Sequence, residues 1–188
     1  MFKKIAFSAL CAAVAFTSIG AAYAKDLKVA SNTTFPPFEF VNSKTNEITG
    51  FEMDLIKAMG KQAGYNVIIQ NMGFDGIIPG ILAGTVDVGA SGISITAERQ
   101  KKVLFTDPFY ESGLTILVNK NDADKIHGFA DLKGKKIAVQ IGTTAAAKAK
   151  EIPGATVVTF NHAGEATLEL SNGCLLYTSP SPRDSTSS

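Results

Sequence analysis

The sequence contains few of the residues that most often build disulfides and metal sites. Its 188 residues include two cysteines and two histidines. Cys11 lies in an N-terminal apolar stretch and Cys174 lies near the C-terminus, so the body of the chain has no cysteine pair. His127 and His162 stand apart without metal-ligand spacing, and we expect both to be surface or capping residues. These absences argue against a disulfide framework, a thiol metal site and a zinc site.

A strong charge of either sign and the common catalytic motifs are also lacking. The formal net charge is +1, and no basic stripe indicates a nucleic-acid partner. The sequence has no Ser-His-Asp order, no paired-carboxylate spacing, no P-loop and no GxGxxG motif. We therefore expect no cofactor and no enzymatic activity. Hydrophobic residues make up 45% of the chain, which is enough to fill the core of one or two domains.

The N-terminus has the pattern of a secretory signal peptide. Lys3 and Lys4 precede an apolar stretch over residues 5–20, and Ala22-Tyr23-Ala24 matches a cleavage site. The apolar stretch is too short for a membrane span. We expect residues 1–24 to be removed after Ala24, and the alternative is an anchor that stays uncleaved.

Hydrophobic periodicity predicts alternating strands and helices. The first half of the mature chain has apolar patterns typical of strand, helix, strand, helix and strand at 27–30, 51–63, 67–69, 75–84 and 86–89. The pattern restarts after residue 110. Strands are expected at 114–118, 136–139 and 156–160, and helices after Gly142 and after Asn161, which we expect to be a cap. This order predicts an α/β fold with largely parallel sheets.

Ligands of such folds bind beyond the carboxyl ends of the strands, where loops lead into helices. The loops at 32–37, 72–75 and 90–96 qualify, and they are followed by Arg99, the only arginine between residues 25 and 173. Arginine can hold a carboxylate through two parallel hydrogen bonds, which lysine cannot do. The alternative for Arg99 is a solvated helix face. The candidate residues of these loops are Asn32, Phe35, Phe74, Ser91, Gly92 and Ser94.

A second strand-to-helix loop could complete this site. Thr143 and Thr144 open a predicted helix, and helix N-termini attract anions. Phe35 and Phe74 could cover the apolar part of a small ligand, although a lone phenylalanine is more often a core residue. Together these residues describe a site for a small zwitterion that has a carboxylate at one end.

Residues 27–173 resemble the polar-amino-acid-binding proteins of ABC importers, the bacterial extracellular solute-binding proteins of family 3. The resemblance rests on FPPFEF, GFEMDLIKAMGKQAG, FDGIIPGILAG, VDVGASGISITAERQKKVLFTDPFYESG, DLKGKKIAV and GTT, in that order. It implies a two-lobed α/β fold of the type II periplasmic binding proteins, with lobes that close around the ligand. The implied divisions are lobe one at 25–109, a hinge crossover at 110–113 and a partial lobe two at 114–173. The implied protein is a periplasmic monomer that delivers an amino acid to an inner-membrane permease and its ATPase.

The resemblance also implies a role for each candidate. Arg99 would hold the α-carboxylate, with help from Ser94, Thr143 and Thr144. Ser91 and Ser94 would bind the α-ammonium, and Phe35 and Phe74 would enclose the side chain. Asn32 stands where many members have aspartate. Gln140 stands where some members have a lysine that helps select the ligand side chain. Glu52 could supply a negative charge that selects the side chain.

Two other functions stay open, and the end of the chain carries one more expectation. Relatives of this family include a periplasmic cyclohexadienyl dehydratase, and some ligand-binding domains of this kind are the sensor part of a membrane receptor. Residues 174–188 change abruptly in composition, and Cys174 to Asp184 can be encoded by a transposase adapter used in sequencing-library preparation. We expect this tail to be a translated adapter and lobe two to be incomplete, which the source DNA can test.

Overall fold

The computed structural model describes residues 24–171 and 176–181. Residues 1–23 of the expected signal peptide, and residues 172–175 and 182–188 at the other end, therefore lie outside the described residues. The described part contains ten strands and five α-helices. The strands are β1 Lys25–Ser31, β2 Thr34–Phe35, β3 Glu39–Val41, β4 Ile48–Thr49, β5 Tyr65–Asn71, β6 Val88–Gly89, β7 Gly113–Leu117, β8 Lys136–Gln140, β9 Thr156–Phe160 and β10 Leu176–Ser181. The helices are α1 Phe51–Gln62, α2 Ile77–Leu82, α3 Ala97–Gln100, α4 Thr144–Lys150 and α5 Ala163–Ser171.

The first sheet is parallel and has the order β5-β1-β6. Successive residues of β1 face opposite sides, as the two-residue period of a strand requires. Val29 packs with Met53 of α1 on one side, and Ala30 packs with Ile77 of α2 on the other. Apolar residues at helical spacing thus cover both faces of this sheet, which leaves its carboxyl edge free for loops.

The second sheet has the order β7-β10-β8-β9. Its strands β8, β9 and β10 are parallel neighbours, while β7 pairs with β10 in the antiparallel sense. Ile137 and Val139 pack against α4, and Ala138 between them packs against α5. The fold is therefore α/β with two lobes, each built on its own sheet. Strand β10 lies within the expected adapter tail, and Pro180 in it has no N–H to donate to β7.

A third, small antiparallel sheet joins β2, β3 and β4 in lobe one. The sequence patterns did not predict it, because its strands are two or three residues long and show no full period. The predicted loop at 32–37 contains β2, and its Pro36-Pro37 pair lies in the connection from β2 to β3. Other boundaries also differ. Strand β6 is shorter than predicted, and α5 begins at Ala163 after His162, whose N–H donates to the Glu165 carboxylate, so the expected Asn161 cap is wrong.

Residues 103–112 connect the lobes without helix or strand. Leu104 in this segment is fully exposed, and Phe109 is half-exposed. The segment borders a large, mainly apolar cleft that also contacts β6 and α2 of lobe one. Among the described helices, none has the length and apolar character needed to span a membrane.

Candidate functional site

A cavity lies where the carboxyl ends of the two sheets face each other. Lobe one contributes residues that follow β1, β5 and β6, and lobe two contributes residues that follow β8 and β9. The lining residues are Asn32, Phe35, Glu39, Phe74, Ser91, Gly92, Ser94, Arg99, Gln140, Thr143, Thr144, Ala145 and Ala163. Its volume is about 40 Å³, room for a few water molecules. A larger ligand would have to separate the lobes as it enters.

Arg99 bridges the two lobes at this cavity. Its backbone N–H donates to Thr96 Oγ1 at 3.2 Å, so Thr96 caps α3 and fixes where the arginine emerges. The guanidinium donates to the Ser94 carbonyl at 2.8 Å and to the Gly142 carbonyl at 3.0 Å. It also lies 5.7 Å from the centroid of the Phe74 ring, a cation–π distance. Burial lowers the pKa of Arg99, and nearby Glu98 opposes this by raising it, yet arginine stays charged at neutral pH.

Asn32 forms the second contact between the lobes. Its side-chain oxygen accepts from Gln140 Nε2 at 3.0 Å and from Thr34 Oγ1 at 2.6 Å. Its amide nitrogen donates to the Met72 carbonyl at 3.1 Å and lies 3.4 Å from His162 Nδ1. The amide of Asn32 is thus occupied by protein groups when the lobes meet directly, and an aspartate could not make the two donor contacts.

The two predicted aromatic residues have different surroundings. Phe74 lines the cavity and also packs against the core cluster of Ala30, Ile77 and Val86, so it serves the core and the site together. Phe35 stacks on Phe38 with ring centroids 5.7 Å apart and is half-buried. Each ring thus packs against neighbouring side chains, and a ring held in this way loses less entropy when a ligand binds.

Two buried carboxyl groups support the loop that carries Ser91 and Gly92. Glu39 of β3 is 1% exposed, and Glu52 in the first turn of α1 is 5% exposed. Glu52 Oε2 accepts from the Gly92 N–H at 2.7 Å, and Ser91 Oγ lies 3.4 Å from Glu39 Oε1. Gly92 has φ +54, a conformation that glycine adopts readily.

Both carboxyl groups have raised pKa values. Burial is the main cause for Glu39, and the charge of Glu52 and a hydrogen bond with it add to the effect, so the pKa of Glu39 reaches about 9. Burial also raises the pKa of Glu52, although bonds from Gly92, Glu39 and Ser91 oppose this change. At neutral pH the physical expectation is a neutral Glu39 beside an ionised Glu52.

The structure brings together all ten ligand-binding candidates around the one cavity. Glu52 is the exception among the predicted site residues. It lies behind the Ser91–Gly92 loop and not in the cavity, so its position does not support the predicted role as a side-chain selector. Glu39 was missed, although it stands in the quoted FPPFEF stretch. A charged residue between two phenylalanines was the available signal. Within the described residues, no group of three His, Cys, Asp or Glu side chains could hold a metal ion.

Comparison with known proteins agrees with this architecture. The chain matches the model of the bacterial extracellular solute-binding proteins, family 3, over residues 27–177. It is 37% identical over 172 residues to ABC transporter arginine-binding protein 1 of Escherichia coli strain K12, covering 91% of this chain and 68% of that protein.

Two solved structures are also similar. The arginine-bound form of truncated ArgBP from T. maritima is 39% identical with a TM-score of 0.80, and the match covers 84% of this chain and 74% of that one. The ancestral amino acid-binding protein AncCDT-1, a precursor of cyclohexadienyl dehydratase, is 42% identical with a TM-score of 0.78, and the match covers 82% and 70%. The chain therefore belongs to the bacterial extracellular solute-binding proteins of family 3.

Proposed function

We propose that this chain is the binding protein of an ABC importer and that its ligand is an amino acid with a cationic side chain. The observation that carries this choice is Glu39. Its carboxyl group lines the cavity, is almost fully buried, and has one oxygen, Oε2, without a hydrogen-bond donor in the described part of the chain. A buried acceptor of this kind is costly unless a donor reaches it. A ligand guanidinium, ammonium or imidazolium supplies that donor and a compensating charge.

The other end of the ligand would be its α-carboxylate. Arg99 uses two of its five N–H groups for the Ser94 and Gly142 carbonyls, and it lines the cavity. As the lobes part, its bond to Gly142 is the one that a carboxylate can replace. The hydroxyl of Thr143 and the start of α4 stand on the opposite wall. Names of relatives support the class of ligand, since several are arginine- or histidine-binding proteins.

Location and partners follow from the same proposal. Residues 1–24 would direct export and be removed after Ala24. The mature protein would act in the periplasm as a monomer, and it would pass its ligand to an inner-membrane permease driven by an ATPase. The two lobes give such a permease two surfaces to recognise, and their separation distinguishes the loaded from the empty protein.

A thermal-shift comparison of amino acids tests the proposed ligand class. A ligand that binds only the folded protein raises its melting temperature. We expect arginine, lysine or histidine to raise the melting temperature of the mature protein more than glutamine or glutamate does. Gln at position 39 cannot become an anion when a cation binds, so Glu39→Gln should erase this preference. A larger shift with glutamate than with any cationic amino acid would contradict the proposal.

One observation favours a second candidate function, an enzyme that moves a proton. The three predicted loops hold no histidine or carboxylate placed for proton transfer, but Glu39 of β3 lines the cavity with a raised pKa, as a general acid requires. AncCDT-1 is named as a precursor of cyclohexadienyl dehydratase. Incubation with prephenate or arogenate tests this candidate. Turnover that is lost in Glu39→Gln would establish it, and absence of turnover would leave the binding function.

A further inference from the structure

The carboxyl groups of Glu39 and Glu52 form a pair that needs a proton. Both are buried, and both reach the same loop, where Glu39 Oε1 lies 3.4 Å from Ser91 Oγ and Glu52 Oε2 lies 2.7 Å from the Gly92 nitrogen. Two ionised carboxylates can only accept hydrogen bonds, so one of them must carry a hydrogen before it can donate to the other. Two like charges this close in a buried position would also repel each other strongly.

The neighbouring contacts show which residue holds the hydrogen. Glu52 Oε2 accepts a short 2.7 Å bond from the Gly92 N–H, which suits an ionised carboxylate. Glu39 has only a long 3.4 Å contact with the Ser91 hydroxyl, and its buried Oε2 has no donor in the described part of the chain. Glu39 is therefore the protonated partner. It is also the member of the pair that lines the cavity.

The surrounding charges do not supply a counter-ion to this pair. The charge of Glu52 on α1 disfavours a second negative charge on Glu39. From α3, Arg99 faces the same cavity but donates to the carbonyls of Ser94 and Gly142. From the start of α5, His162 contacts Asn32. Ser91 and Gly92 on the adjoining loop are uncharged. The pair thus keeps its proton until a cation arrives from outside.

We propose that Glu39 and Glu52 hold one proton between them in the ligand-free protein, and that a cationic ligand side chain releases this proton to solvent when it binds Glu39. The inference rests on the proposed ligand class. A guanidinium or ammonium group provides the donors and the positive charge that the proton provided before. A ligand with a neutral side chain brings no charge, so the proton stays in place. Binding of a cationic amino acid then replaces the proton of the pair with the positively charged side chain of the ligand.

The first part of the test examines the protein without ligand. Infrared spectra of the mature protein at neutral pH should contain a carboxylic-acid carbonyl band that is absent from Glu39→Gln. Glu47→Gln is the matched control, because Glu47 is an exposed residue of the hairpin between β3 and β4 and should leave the band unchanged. A wild-type spectrum without a carboxylic-acid band at neutral pH would overturn the inference.

The second part measures protons released on binding. Calorimetric titration with arginine in buffers of different ionisation enthalpy should give about one proton released per ligand. As the pH is raised toward the pKa of the free pair, arginine affinity should increase by up to about tenfold per pH unit. Any residual arginine binding by Glu39→Gln should release no proton, whereas Glu47→Gln should behave like the wild type.

The outcomes separate the two proposals. Arginine binding without proton release, or with equal affinity across the pH range, would overturn the proton exchange and leave the proposed function standing. Binding of a neutral amino acid but of no cationic one would overturn the proposed function and the exchange with it. Proton release on binding a neutral amino acid would overturn the exchange, because the released proton would then have another source.

Discussion

Arg99 is the residue whose chemistry is least replaceable in the proposed site. Its planar guanidinium contacts carbonyl groups of both lobes, Ser94 at 2.8 Å and Gly142 at 3.0 Å. Lysine has the charge but not the fork, so it cannot hold two acceptors and a ligand carboxylate in one plane. We expect Arg99→Lys to weaken amino-acid binding by about 2–5 kcal/mol, since a buried carboxylate is left partly unpaired.

Calorimetric titration of the variant with the best wild-type ligand measures this loss. Lys101→Arg, at an exposed position two residues further on, exchanges the same residue types and should bind as the wild type does. An affinity change of less than about threefold in Arg99→Lys would remove Arg99 from the ligand site.

Glu39 makes stability depend on pH in a predictable direction. Its pKa is raised from 4.5 to about 9 in the folded protein. Between these values the unfolded chain has lost a proton that the folded chain keeps, so the free energy of unfolding falls as pH rises from 4.5 toward 9. One such proton contributes a slope of about 1.4 kcal/mol per pH unit. Urea unfolding at several pH values in this range should therefore show a steeper decline for the wild type than for Glu39→Gln. Parallel pH profiles for the two proteins would show that Glu39 is not the buried acid described above.

At the scale of elements, the hydroxyl of the N-cap residue Thr143 stabilises the start of helix α4. Thr143 Oγ1 accepts from the Ala146 N–H at 3.1 Å and donates to the Gln140 carbonyl at 2.8 Å, which ties the helix start to the end of β8. We expect Thr143→Ala to lower the free energy of unfolding by about 1 kcal/mol. Thr143→Ser keeps the hydroxyl and should cost much less. Urea unfolding without ligand measures both, and equal losses in the two variants would show that the cap contributes little.

Elements with a full hydrophobic period could be predicted from the sequence, and shorter ones could not. The patterns located β1, α1, β8 and β9 because several apolar residues recur in each. They missed β2, β3 and β4, which are too short to show a period. The His162–Glu165 contact at the start of α5 could not be predicted either, because two candidate caps stand side by side and backbone geometry decides between them.

The part of the site that could be predicted from the sequence is the part formed by loops that follow parallel strands. Loops after parallel strands converge at one edge of a sheet, so residues such as Asn32, Phe74 and Ser91 were expected to meet, and they line one cavity. Glu39 was not predicted because it belongs to the small antiparallel sheet, outside that rule. Glu52 was predicted to face the ligand, but its carboxylate accepts from the Gly92 N–H and lies on the loop side. The sequence could not show this, because a carboxylate at a helix start can turn toward the ligand or toward a loop.

The whole molecule closes through a tight contact between the lobes. Gly142 has φ +78, and a Cβ added there would lie 2.9 Å from Asp75 Cβ and 3.0 Å from Asp75 Cα. Gly142→Ala should therefore hold the lobes apart, which increases the radius of gyration and weakens ligand binding. Gly134 is the matched control, because it has φ +70 but no atom within 4 Å of an added Cβ.

Small-angle X-ray scattering with saturating ligand distinguishes the two variants. Both should lose some stability from the left-handed backbone, by about 1 kcal/mol each. Only Gly142→Ala should show a larger radius of gyration than the wild type. Equal radii for all three proteins, with equal ligand affinity, would contradict this account of closure.

The central claim is that the cavity binds an amino acid with a cationic side chain. The most direct measurement is calorimetric titration of the mature protein, expressed from its source gene, with arginine, lysine, histidine, glutamine and glutamate under one buffer condition. We predict binding of one ligand per protein, with a cationic amino acid as the tightest ligand. The result that would contradict the claim is a neutral or acidic amino acid that binds more tightly than all three cationic ones, or no binding by any of the five.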